Sequence, residues 1–399
     1  MKVLMTADAV GGVWTYAADL AAGLAQRGVE VVLAVLGPEP SRESRDRFAG
    51  DLRVVSAPLD WTAETPEAVL DAGLLVAELA ERERVDVVHL NSPALAAGDA
   101  FRAPLVGVCH SDVKTWWAAV KTGPLPPDLA WRAALTGRGY AACNALLAPS
   151  RSFAEATAAA YGVDAPTVVL NARNPFLPVA DKEVARSDGG GAREASGTER
   201  RVGSSALSRG PSGPPGHLPS DAGGEIGHPF VFTAGRLWDE GKGMAVLDAG
   251  AGSLSAPVLA AGSLDGPNGA AFAPEHLTAL GSLSARAMAE HHAAAAVFVS
   301  PALYEPFGLA VLEAAHAGRP LVLSDIPTFR ELWDGAATFV RPGEADALAA
   351  ALQGLLADER ARDRLGRAAA ARAARFTMDA TVEGTLAAYR GVAGRRAAA

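Results

Sequence analysis

Short runs of almost purely apolar residues, each followed by a helix-like pattern, are the feature that most constrains this fold. "KVLMTA" (2–7), "VEVVLAVL" (29–36), "VDVVHL" (85–90), "PLVGVCH" (104–110) and "NALLAPS" (144–150) follow one another through the first part of the chain. A strand with one wet face alternates apolar and polar residues. A strand that is apolar at successive positions loses both faces to a core, which is the situation in a parallel sheet covered on both sides. Parallel neighbours need long crossovers, and amphipathic helices supply them. "TYAADLAAGLAQRG" is one, with Gly28 at its C-terminal stop position, and "AVLDAGLLVAELAERER" is another. The alternation returns later as "PFVFTAGRL", "APVLAAG", "AAVFVSPAL" and "RPLVLSDI", with the helix "LAVLEAAHAG" between the last two. The expected class is α/β, with two Rossmann-like domains at 1–180 and 229–375. Ligands of open parallel sheets sit beyond the carboxyl ends of the strands, so the cleft between the two sheets is the expected site.

Between Asp181 and Pro229 the pattern breaks, with eleven glycines and no aromatic residue. Such a stretch buries too little apolar area to offset its ordering entropy, so 181–228 reads as a flexible linker or insertion. The 399 residues otherwise suffice for two cores, with 49% hydrophobic and 20% charged residues. The C-terminal "MDATVEGTLAAYRGVAG" reads as a separate helix within 376–399, after the Arg/Ala-rich "DERARDRLGRAAAARAAR", and is expected to cross back to the first domain. A net charge of -9 gives no global attraction to nucleic acid. Residues 1–180 hold 15 Lys+Arg against 20 Asp+Glu, which disfavours strong docking to anionic membranes but leaves a local, peripheral contact open. "MKVLMTADAV" reads as a first strand rather than a signal peptide, and no apolar run is long enough to span a membrane. Cys109 and Cys143 lie in apolar sequence and read as reduced, buried thiols of a cytoplasmic protein.

Two segments carry the chemistry. In "AGRLWDEGKGM", a strand ends at Gly235 and leaves Arg236 and Lys242 beyond its carboxyl edge. A planar guanidinium and a point-charge ammonium beside glycines suit a diphosphate, although cations after a strand are also common on ordinary surfaces. In "PALYEPFGLAVLEAAHAGRP", Phe307, Gly308 and Leu309 fall at a helix N-terminus, where free N–H groups receive an anion or hydroxyl. Pro306 keeps Glu305 extended and outside the helix. Glu313 lies about one turn into it among Val311, Leu312, Ala314 and Ala315, where a carboxylate needs a partner. A ligand across the helix start would meet both carboxylates. The alternative is a dipole partner at Glu305 and a solvated helix residue at Glu313. His110 and His89 both sit at strand ends, where a histidine serves either as a structural residue or as a ligand. Trp116 and Trp117 fit an acceptor platform or ordinary packing. The chain has no Asp-x-Asp and no Cys/His cluster with metal-ligand spacing, so no metal is expected. The first strand is followed by no G-x-G-x-x-G, which disfavours a nicotinamide-dependent dehydrogenase.

"YEPFGLAVLEAAHAGRPLVLSDIPTFRELW" resembles the glutamate–seven–glutamate signature of retaining nucleotide-sugar glycosyltransferases of family 4. "DAVGGVWTYAADLAAGLAQRGVEV", "VGVCHSD", "TAGRLWDEGKG" and "LTALGSL" are similar, in the family's order, to its glycine loop, histidine-ended strand, diphosphate segment and base-contacting loop. The resemblance implies the two-domain GT-B fold and a hexose-type sugar passed from a nucleotide diphosphate sugar to a sugar, lipid or small-molecule acceptor. It implies retention without a metal, no cofactor, and no nucleic-acid partner. Residue by residue, Glu305 would contact the transferred sugar and Glu313 the ribose hydroxyls. Amides of Phe307, Gly308 and Leu309 would hold sugar hydroxyls and the distal phosphate. Arg236 and Lys242 would neutralise the leaving diphosphate, and His110 would bond the donor sugar. Gly11 and Gly12 would admit phosphate and acceptor, and the loop with Gly281 and Leu283 would meet the base. The chain departs from the family at "NARNPF", where Ala172 stands in place of a glycine, and in having six rather than five positions from Arg236 to Lys242. Other GT-B enzymes, an epimerase or a phosphorylase, and a non-catalytic sugar-nucleotide-binding protein are the competing readings.

Overall fold

The computed structural model describes residues 1–8, 12–40, 45, 48, 50–173 and 228–398. The segment 181–228 expected to act as a linker falls outside the described residues, but for His228. In the first half the strands are β1 (Lys2–Asp8), β2 (Glu30–Leu36), β3 (Asp51–Val54), β4 (Val87–Leu90), β5 (Leu105–Val108), β6 (Ala145–Ala148) and β7 (Thr167–Val168). They form one parallel sheet in the order β3-β2-β1-β4-β5-β6-β7. The second half holds β8 (Val231–Ala234), β9 (Val258–Ala261), β10 (Thr278–Gly281), β11 (Val297–Ser300), β12 (Leu321–Ser324) and β13 (Thr338–Val340), parallel in the order β10-β9-β8-β11-β12-β13.

The apolar runs are explained by cores on both faces of each sheet. Val3, Met5 and Ala7 of β1 enter one core with Val31, Leu33 and Val35 of β2. Leu4, Val32, Ala34 and Leu36, pointing the other way, enter a second. In the other sheet Phe232 and Phe298 face one core while Val231, Val297 and Val299 face its opposite.

The helices in chain order are α1 (Gly12–Ala25), α2 (Pro66–Glu83), α3 (Val113–Val120), α4 (Pro127–Ala142), α5 (Arg151–Tyr161), α6 (Met244–Ala251), α7 (Ala285–Ala294), α8 (Leu309–His316), α9 (Pro327–Trp333), α10 (Ala345–Ala357), α11 (Glu359–Ala373) and α12 (Met378–Ala398). Helix α2 shows how sequence sets an end. Thr65 caps it by accepting from the Ala68 N–H, Pro66 occupies the first turn, and Arg84 closes it in a left-handed conformation.

Helix α12 returns from the second half to the first. Val382, Leu386, Tyr389 and Val392, at helical spacing, are buried with Leu20 and Leu24 of α1. Burying a side chain such as Leu386 is worth about 1.5–3 kcal/mol. A Cβ at Gly23 would lie 2.5 Å from Val382 Cγ2, so this glycine lets the two helices approach.

Two expectations are corrected. "LTALGSL" is not wholly a loop, because Thr278–Gly281 pairs with β9 as an edge strand. Cys143 is half-buried rather than buried, because it follows the end of α4 and only Cys109 lies in the core. Strand order reverses between β1 and β4 and between β8 and β11. Connections leave in opposite directions at those points, and the carboxyl ends there open into a crevice.

Candidate active site

At the second sheet's reversal, β8 runs into Arg236 and β11 into the loop Pro301–Gly308. Lys242 ends a 3-10 turn, Glu240–Lys242, and places Nζ 2.7 Å from Glu305 Oε2. The two loops are tied at the backbone, since Leu303 and Tyr304 donate N–H groups to the Gly241 carbonyl at 2.9 and 3.1 Å. Gly243 then turns the chain into α6 with φ 68°, and a Cβ there would lie 2.1 Å from the Pro301 carbonyl oxygen. Arg236 donates to Asp239 Oδ2 at 2.8 Å. Asp239 Oδ1 accepts from the Gly241 N–H at 2.9 Å and from Trp116 Nε1 at 3.0 Å. Burial pushes the Asp239 carboxyl up, but Arg236, Lys242 and the Trp116 bond outweigh it and hold the group below its usual range. Each cation thus meets a carboxylate. A diphosphate would replace those carboxylates as counter-ion.

Gly308 opens α8 with φ 94°, a conformation glycine adopts without a Cβ penalty. Phe307 is buried and meets Phe376 edge-on. The N–H groups of the first helical turn, from Leu309, have no carbonyl within the helix. Gly12, first residue of α1, lies opposite, its Cβ position 3.6 Å from Leu309 Cδ1. The first residues of two helices thus meet here, and the N-terminus of a helix is an electrostatic setting for an anion. Gly11 lies outside the described residues. Gly281 ends β10 at φ 67°, and Leu283 packs against the core that contains Phe307 and Val311.

Glu313 finds its partner in the other half of the molecule. Arg173, 140 positions away, donates Nε to Glu313 Oε1 at 2.7 Å and Nη1 to Asp19 Oδ2 on α1 at 2.6 Å. His292 Nε2 lies 3.6 Å from the second carboxylate oxygen. Burial raises the Glu313 carboxyl, yet the His292 ring and the Arg173 guanidinium together leave it below its usual range.

His110, just past β5, directs Nε2 to Asn91 Oδ1 at 2.8 Å and packs edge-on against Tyr16 at 4.7 Å. Burial lowers its pKa to about 3, so the ring is neutral at ordinary pH. His89 is fully buried beneath, bonded to Asn91 and Tyr389, and does not join the cleft surface. Trp117 donates to the Gly123 carbonyl, a local packing role, whereas Trp116 spans the halves to Asp239.

Other contacts lock the halves together around these residues. Tyr304, beside Glu305, meets Thr115 Oγ1 at 2.9 Å and accepts from the Asp112 N–H at 3.2 Å. Ser150 Oγ donates to the Pro306 carbonyl at 2.8 Å, and the Glu331 carboxylate receives the first N–H groups of α5, those of Arg151 and Ser152. Sequence reasoning picked out neither Arg173 nor Asp239 nor Asn91. Asp239 stood between the two cations in "RLWDEGK", and Asn91 follows His89 at a strand end; only Arg173 gave no local signal. Among the described residues, no three or more His, Cys, Asp or Glu side chains are grouped to hold a metal ion.

The sequence matches the family described as Glycosyltransferase Family 4 over residues 10–175 and that described as Glycosyl transferases group 1 over residues 269–372. Between them they span more than half of the chain and meet at the cleft. The chain is a family 4-type glycosyltransferase. A D-inositol 3-phosphate glycosyltransferase of Xylanimonas cellulosilytica is 28% identical to this glycosyltransferase over 428 aligned positions, covering 98% of this chain and 94% of that one. The O-antigen chain mannosyltransferase B of Escherichia coli is 33% identical over 99 residues, only 25% of this chain and 26% of its own. Solved structures agree on the GT-B fold. Sucrose-phosphate synthase from Thermosynechococcus elongatus superposes with a TM-score of 0.71 at 18% identity, covering 98% of both chains. Anabaena HepE, determined with UDP and glucose, gives 0.69 at 16% identity over 98% of this glycosyltransferase and 100% of HepE.

Proposed function

We propose that this glycosyltransferase moves a hexose-type sugar from a nucleoside diphosphate sugar to a sugar, lipid or small-molecule acceptor, with retention and without a metal ion. The observation that carries the reading is the Lys242–Glu305 contact at 2.7 Å, at the sheet reversal, next to the α8 N-terminus. One ligand with a diphosphate joined to a sugar has both an anion for Lys242 and Arg236 and hydroxyls for Glu305. Glu313 then takes the ribose hydroxyls, and the loop at Gly281 and Leu283 takes the base. The leaving diphosphate is stabilised by fixed cations and helix N–H groups, interactions that strengthen wherever the bound donor displaces water.

In the chemical step the anomeric carbon–oxygen bond to phosphate breaks through an oxocarbenium-like species. The acceptor oxygen bonds to that carbon on the same face, and the departing phosphate oxygen takes the acceptor proton. Glu305 is not a glycosidase-type acid or nucleophile, because the donor carries its own leaving group. The free thiols of Cys109 and Cys143 suit a reducing, cytoplasmic compartment. Among the described residues no helix is long and apolar enough to cross a membrane. The test is Glu305→Ala, with circular dichroism to verify the fold. Loss of glycosylated acceptor is the expected result. Turnover at the wild-type rate would show that Glu305 does not serve the transferred sugar, and an epimerised donor or sugar phosphate as product would replace transfer with another reaction.

A further inference from the structure

A chain of hydrogen bonds, buried except at its His110 end, connects the cleft to the last helix of the molecule. Tyr389 on α12 places its hydroxyl 2.7 Å from His89 Nδ1. His89 Nε2 lies 3.1 Å from Asn91 Oδ1, and His110 Nε2 lies 2.8 Å from that same oxygen. Asn91 is anchored to β1 twice, its N–H to Thr6 Oγ1 at 2.9 Å and its Nδ2 to the Thr6 carbonyl at 2.6 Å. His89 and Tyr389 are both 0% exposed.

The hydrogens in this chain follow from chemistry. Turning the Asn91 amide over would set its oxygen against the Thr6 carbonyl oxygen, two acceptors at 2.6 Å, so the orientation is fixed. Asn91 Oδ1 then has only lone pairs to offer, and both imidazoles that approach it must carry hydrogen on Nε2. A neutral imidazole with hydrogen on Nε2 has an acceptor at Nδ1. For His89 that acceptor receives the Tyr389 hydroxyl. Both rings stay neutral, since burial lowers His89 to about 4 and His110 to about 3. Charging His89 would place an uncompensated cation in the core.

We infer that Asn91, anchored by Thr6, is a positioning residue of the active site. It holds His110 as the Nε2–H tautomer, so that His110 meets the donor sugar as a hydrogen-bond acceptor through Nδ1. The inference rests on the reading that His110 faces the donor sugar. It also gives a specificity, since a sugar hydroxyl at that position donates and a deoxy or O-methylated sugar cannot.

The test combines spectroscopy with kinetics on the full-length protein. Ring-nitrogen spectra of protein labelled with 15N-histidine, free of ligand, should show His89 and His110 protonated at Nε2 and not at Nδ1. Hydrogen on Nδ1 of either ring in the wild type would overturn the inference. Asn91→Leu keeps the side-chain volume but removes the amide oxygen, and thermal unfolding verifies the fold. In it the single tautomer should be lost and kcat/KM for the donor should fall about tenfold, while affinity for the bare nucleoside diphosphate, which does not reach His110, stays within twofold. An unchanged His110 tautomer in Asn91→Leu would sink the positioning. His110→Ala separates the two layers. Wild-type donor kinetics in His110→Ala would defeat the donor role of His110 itself. A loss in His110→Ala with none in Asn91→Leu would defeat only the positioning by Asn91.

Discussion

Arg236 and Lys242 do different work although both are cations beside glycines. Lys242 touches Glu305 directly, while Arg236 is held by Asp239, which is itself pinned by Trp116 from the other half. Lys242→Met should therefore cut kcat by about 100-fold or more, the scale of losing one fixed charge at a developing anion, with steady-state kinetics as the measurement. A loss in KM alone would place Lys242 in binding rather than in the chemical step. These residues were legible because each stands in a short local pattern, a cation after an apolar strand or a carboxylate at a helix start. Glu313 was half legible, since its apolar neighbours demanded a partner that they could not name. Arg173 was not legible at all, because the charge it answers is 140 positions away and nothing in "NARNPF" points there. Arg173→Met would leave Glu313 and Asp19 facing one another without their shared cation. Breaking a buried ion pair from one side costs about 3–5 kcal/mol, and a fall in thermal unfolding temperature should register it.

Elements, more than residues, were open to reading. Each strand with an apolar run formed because both its faces meet a core, and helices α1, α2 and α8 formed where the patterns placed them. The edge strands β3, β7 and β10 went unseen, since a strand half in water carries no apolar run and its pairing is decided by a neighbour elsewhere in the chain. Two turns position the site through glycine alone. At Gly243 any Cβ would meet the Pro301 carbonyl at 2.1 Å, and at Gly308 φ is 94° with Phe329 3.1 Å from the Cβ position. Gly243→Ala should destabilise the protein by more than about 1–3 kcal/mol, the cost of the left-handed backbone alone, because backbone must also move. Thermal unfolding compared with Gly391→Ala, where nothing lies within 4 Å of the Cβ position, checks it.

For the whole molecule, the cleft exists because two sheets present their reversal points to each other and are fastened around them by Ser150, Glu331, Tyr304, Trp116 and Arg173. Two of these ties involve carboxylates held below their usual range, Asp239 and Glu313. A carboxyl lowered in the folded state stabilises fully above its unfolded pKa of about 4, and that stability is lost as pH falls below it. Thermal unfolding temperature should thus be insensitive to these two groups from pH 8 to about 5 and fall below about 4. Small variation across the acid range in the wild type, equal to that of an Arg173→Met variant, would refute this. Everything proposed for the cleft depends on its being a nucleoside diphosphate sugar site built from Arg236, Lys242 and the α8 N-terminus. Calorimetric titration of UDP, GDP and ADP into the wild type and into the Arg236→Met, Lys242→Met double variant, with EDTA present, decides this. At least one nucleotide should bind the wild type without added metal. The double variant should bind it at least about 100-fold more weakly, two charge-assisted hydrogen bonds being lost. Binding of equal strength in both proteins, or no binding of any of the three, would contradict it.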